Sequence, residues 1–127
     1  MTDLEFIDAL ESGELLPEQF NHAAHIRAAC IYLRHQPFLD AAVSMRNALQ
    51  AFTARIGKDG LYHETLTLAL MSIVADRLER FEGNDWQAFL MANPDLSERT
   101  LLNSYYRPET LGSDLARQRL VLERRGE

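Results

Sequence analysis

The stretch Phe20 to Leu33, FNHAAHIRAACIYL, constrains the fold more than any other part of the chain. It is a nearly all-apolar run of helical period. Its only charged side chain is Arg27, and it carries two histidines, His22 and His25, three residues apart. At about 100° per residue, Arg27 and Arg34 project in almost the same direction and His25 projects opposite them. His25 is therefore expected to point inward, with Ala29 and Tyr32 on its side and His22 about 60° away on the same face. A second apolar run, Leu61 to Phe81, opens with Tyr62-His63-Glu64-Thr65. Its polar stripe, Thr65, Ser72, Asp76 and Glu79, lies opposite His63 and leaves Glu64 at the flank, so His63 also points inward. Thr67, Leu70, Val74 and Phe81 continue on the His63 side.

The remaining periods are helical as well. Thr2 and Glu5 have the capping-box spacing, Leu4, Ile7 and Leu10 follow as a short apolar face, and Gly13 ends that helix. Pro37 separates the histidine helix from one running from about Phe38 to Ile56. The stripe of that helix, Phe38, Ala42, Met45, Leu49, Phe52 and Ile56, reads as packing. Gly57 to Gly60 is a tight polar turn. Beyond Gly83-Asn84-Asp85 come Trp86, Phe89 and Leu90, then a short helix from about Ser97 with Leu101, Leu102 and Tyr105 buried. A last short helix runs from Ser113 through Arg119. The pattern predicts an all-α, compact single-domain helical bundle of about three long and several short helices over residues 1–127, with a basic tail at about 120–127 whose final few residues fray.

Charge and cysteine usage narrow the function classes. The net charge is −6, and residues 117–127 hold four arginines against two glutamates, a local +2 that leaves −8 on the body. An acidic body without a basic stripe argues against nucleic-acid binding. No apolar run approaches the roughly 18 residues of a membrane span, and no basic start followed by an apolar segment marks a secretory leader. The single Cys30 cannot form an intramolecular disulfide and suits a reducing cytoplasm. Within an apolar helix its thiol is expected to be inert.

Two imidazoles at i and i+3 can converge on one point, and His63 on a facing helix supplies a third nitrogen. Three histidines with an open position form a zinc-type catalytic set, and with a carboxylate such as Glu64 the same set suits iron, manganese or copper. The expected site is therefore a divalent metal, zinc or iron foremost, on His22, His25 and His63. Glu64 is its general base or fourth ligand, and Tyr32, Tyr62, Thr67 and Tyr105 orient a small-molecule ligand. Water activation and oxygen chemistry both fit. In HETLT, Thr67 stands where a zinc metalloprotease motif requires its second histidine, so that motif is absent. His35 beside Gln36-Pro37 reads as a helix-end group. Two competing readings use the same residues: a metal-free pocket for a small ligand, and a structural or partner-binding domain whose histidines satisfy one another and nearby carbonyls.

The segments FNHAAH, YHETLT and LLNSYY together resemble a family of small bacterial proteins of uncharacterised function, over Phe20 to about Arg119. The resemblance implies a single helical domain with His22, His25, His63 and Glu64 in its signature segments. DinB-like bundles also carry three metal-binding histidines, but their i, i+4 pair is missing here, so that similarity is one of architecture alone.

Overall fold

A computed structural model of the chain describes residues 1–98 and 100–125. The described residues form seven α-helices: α1 (Asp3–Ser12), α2 (His22–His35), α3 (Phe38–Arg55), α4 (Glu64–Glu79), α5 (Trp86–Ala92), α6 (Pro108–Leu111) and α7 (Asp114–Gln118). Single 3-10 turns lie at Pro17–Gln19, Asp59–Leu61, Pro94–Ser97 and Leu101–Ser104. No strand occurs among the described residues, and the all-α expectation holds. Five of the seven helices span seven residues or more, so the longer elements number five rather than three.

Local chemistry sets most boundaries. The Thr2 hydroxyl accepts the Glu5 amide at 3.1 Å while the Glu5 carboxylate accepts the Thr2 amide at 2.8 Å, the expected capping box. Gly13 ends α1 at φ 87°, a left-handed conformation that favours glycine, and a Cβ there would meet the Arg55 guanidinium at 2.8 Å. Arg55 reaches in to donate to the Leu10 carbonyl at 3.1 Å, supplying the cation that the last turn of α1 lacks. The Asn21 side chain caps α2 by accepting the Ala24 amide, and Pro37 starts α3 with its φ already near the helical value.

Helix α2 occupies the centre and touches α1, α3, α4 and α5. Its Ala28, Ala29 and Ile26 are fully buried, and the alanines let neighbouring axes come close. Around it pack Leu10, Met45, Met71, Val74, Phe89 and Leu96, all essentially inaccessible. Each such Leu, Met, Val or Phe contributes roughly 1.5–3 kcal/mol through burial. The outer face of α2 is held by the two arginines expected there. Arg27 pairs with Asp3 at 3.0 Å and stacks over Phe6 and Trp86, and Arg34 donates to the Asn84 carbonyl at 2.5 Å.

The first part of the basic tail is fastened to the body. The buried Thr65 hydroxyl donates to the Arg119 carbonyl at 2.8 Å and accepts the Val121 amide at 3.0 Å. Tyr106 donates its hydroxyl proton to the Val121 carbonyl at 2.7 Å, and Glu123 accepts the Arg107 amide at 2.7 Å and the Thr110 hydroxyl at 2.9 Å. Residues 119–123 thus form a strap over α4 and the segment that carries α6. The last part of the expected fraying tail, residues 126 and 127, and residue 99 of the short helix expected from Ser97, lie outside the described residues. No helix among the described residues is long and apolar enough to cross a membrane.

Candidate functional site

A cavity of about 500 Å³ opens between α2, α3, α4 and the segment 101–111. That volume lies in the range of small-molecule sites. Its walls are mostly aliphatic: Met45, Leu49 and Phe52 from α3, Leu70 from α4, and Leu101 and Leu111 from the outer segment. His22, His25, Tyr62, His63 and Thr67 all border it, so five of the residues singled out from the sequence share one space. The stripe on α3 does more than pack, since four of its residues, Met45, Leu49, Phe52 and Ile56, form a cavity wall.

The three histidines have different surroundings. His63 is 5% exposed and is the N-cap of α4. Its Nδ1 accepts the Leu66 amide at 3.0 Å and its Nε2 donates to the Leu111 carbonyl at 2.7 Å. A carbonyl only accepts and an amide only donates, so the two bonds define the neutral ring protonated on Nε2, with no lone pair to spare. His22 is exposed and donates from Nε2 to the Leu96 carbonyl at 2.6 Å. The His25 ring makes no hydrogen bond to the described residues. Its ring stacks on Phe20, with centroids 4.1 Å apart and planes 22° from parallel, and Phe20 in turn rests on Phe52. Burial, reinforced by the charge of His22, pushes the His25 pKa down to about 4. At neutral pH it is an uncharged imidazole offering one donor and one acceptor.

The other polar groups on the wall spend their protons on the protein. Tyr62 donates its hydroxyl proton to the Glu64 carboxylate at 2.5 Å, and burial together with that bond pushes its pKa up. Thr67 donates to the His63 carbonyl at 2.8 Å. Glu64 receives both Tyr62 and Arg46, the latter at 3.1 Å, and does not border the cavity. Tyr32 lies apart as well, on the side of α1, where it donates to Glu11 at 2.6 Å. Tyr105 is 54% exposed, and its neighbour Tyr106 is the buried one. Hence the structure brings Tyr62 and Thr67 to the site but keeps Tyr32, Glu64 and Tyr105 away from it.

Among the described residues no group of three or more histidine, cysteine or carboxylate side chains is arranged to hold a metal ion. Cys30 is buried, and burial pushes its thiol up to about 12, in keeping with an inert residue. Two contributors were not singled out by pattern: Phe20, which orients His25, and Leu111, whose carbonyl fixes the His63 tautomer. Phe20 stands five residues before His25, outside the helix, where no helical projection applies. The chain matches no protein-family model, no curated protein and no solved structure.

Proposed function

We propose that this protein binds a small molecule in the cavity between α2, α3, α4 and residues 101–111. The observation that carries this reading is His25: a neutral, half-buried imidazole bordering a roomy apolar cavity, stacked on Phe20 and with both ring nitrogens unused by the described residues. A polar ring with unused nitrogens that borders an apolar cavity suits a ligand carrying one hydrogen-bonding group. Binding is favoured over acid–base chemistry because a pKa of about 4 makes His25 a weak base at neutral pH.

Thermal unfolding with naphthalene-sized aromatic compounds tests the reading. A ligand at ten times its Kd adds RT ln 11, about 1.4 kcal/mol, and raises Tm by roughly 4–6 °C for a chain of this length. Leu70→Trp, which fills the cavity, abolishes the rise. If no compound raises Tm, or the rise survives Leu70→Trp, the reading fails.

A metal-dependent enzyme is the second reading, favoured by His22 and His25 at i and i+3 on one cavity wall. It requires His63 to give up either the Leu66 amide or the Leu111 carbonyl, and Glu64 to leave Tyr62 and Arg46. Elemental analysis of untagged protein and of His25→Ala decides it. Near-stoichiometric zinc or iron that vanishes in the folded variant supports a metal site. No uptake on adding either ion removes it.

A further inference from the structure

We infer that the ligand of this cavity is uncharged, an apolar or aromatic body with one neutral hydrogen-bonding group set against His25. The inference rests on the binding function proposed above and specifies its ligand.

The cavity disfavours both signs of charge. A cation faces low-dielectric walls and the first turns of two helices. His22 and His25 lie in the first turns of α2, His63 caps α4, and all three border the cavity, so the positive ends of both helix dipoles are directed there. The same environment already suppresses the positive charge of His25. An anion gains from the dipoles but meets no lysine or arginine among the described lining residues. The one acidic side chain among them is Glu98, exposed at the rim. The first-turn amides that would serve an anion are also partly spoken for, Ala24 by Asn21 and Leu66 by His63. Dehydrating an ion without a partner is far more costly than burying a hydroxyl or carbonyl that finds one. The donors of His22, Tyr62, His63 and Thr67 are spent on protein acceptors. That leaves His25 on the inner wall and the Asn103 amide on the exposed outer segment, both neutral, and the His25 imidazole serves an alcohol, phenol or carbonyl equally well.

Four compounds of one shape test the inference by isothermal titration at pH 7: 1-methylnaphthalene, 1-naphthalenemethanol, 1-naphthylmethylamine and 1-naphthoate. The alcohol is expected to bind at least tenfold tighter than the ammonium and the carboxylate, and tighter than the hydrocarbon. His25→Leu brings the alcohol down to the affinity of the hydrocarbon, while His25→Gln keeps part of the difference. An ion that binds as tightly as the alcohol overturns the inference, and so does an alcohol advantage that persists in His25→Leu. Binding of the hydrocarbon in either case leaves the cavity reading intact. If none of the four binds, the cavity reading falls with it.

Discussion

Replacing His63 by alanine removes two hydrogen bonds and a ring that is only 5% exposed. Loss of the cap on the Leu66 amide costs about 1 kcal/mol, in the range measured for helix N-caps. Loss of the bond to the Leu111 carbonyl costs about another 1 kcal/mol, and the orphaned acceptor and lost packing bring the total to roughly 3 kcal/mol. With a urea m-value of roughly 1.5 kcal/mol/M, the unfolding midpoint drops by about 2 M at unchanged m. His63→Asn separates the contributions. Asparagine is a good N-cap but is too short for the Leu111 carbonyl, so about half of the loss is recovered. Equilibrium urea unfolding by circular dichroism reads both variants. A loss below about 1 kcal/mol for His63→Ala, or equal losses for Ala and Asn, refutes the assignment of His63 as a doubly bonded cap.

Three further outcomes are expected. The folded pKa of His25, about 4, lies below the ordinary imidazole value of 6.5. The native state therefore binds fewer protons than the unfolded one in that window, and stability that is full above pH 6.5 declines as pH falls toward 4, by up to about 3 kcal/mol. Urea titrations at pH 7 and 4.5 should show a markedly smaller decline in His25→Gln, and parallel declines would contradict the burial of the ring. Thr65→Val, nearly isosteric, should cost about 1–3 kcal/mol and speed hydrogen exchange at the Val121 amide, whereas Thr65→Ser keeps both; an unchanged exchange rate in Thr65→Val speaks against the strap. The Cys30 thiol should react with a disulfide reagent at pH 8 only as the protein unfolds, and fast labelling of the native state would count against its burial.

Much of the site was legible because helical projection depends only on residue spacing. Arg27 and Arg34 opposite His25 located the inner face of α2, and the structure has both arginines fastened to α1 and to the connection before α5. Projection discards distance along the axis, however. Tyr32 shares the angle of His25 but stands seven residues on, about 10 Å at 1.5 Å per residue, and reaches Glu11 instead. His63 was read correctly as inward, yet α4 begins one residue later, so it caps the helix rather than riding on it. Around Tyr105 the regular turn ends at Ser104, so a helical projection carried past it no longer holds, and Tyr106 rather than Tyr105 is the buried residue. The Thr65 bonds to residues 119 and 121 join backbone to side chain across more than fifty positions, and no local pattern encodes them.

That strap also orders assembly in time. Helices α2 and α3 are joined by a short connection, so their shared core forms with little loop-closure entropy. The outer wall of the cavity waits for pairings of much greater span than that connection, Leu111 with His63 and Val121 with Thr65. A chain that has packed α2 against its neighbours is therefore already folded at the centre while its cavity is still an open groove. The last covering to arrive is the first to leave, so partial unfolding begins by exposing the ligand's place rather than the core.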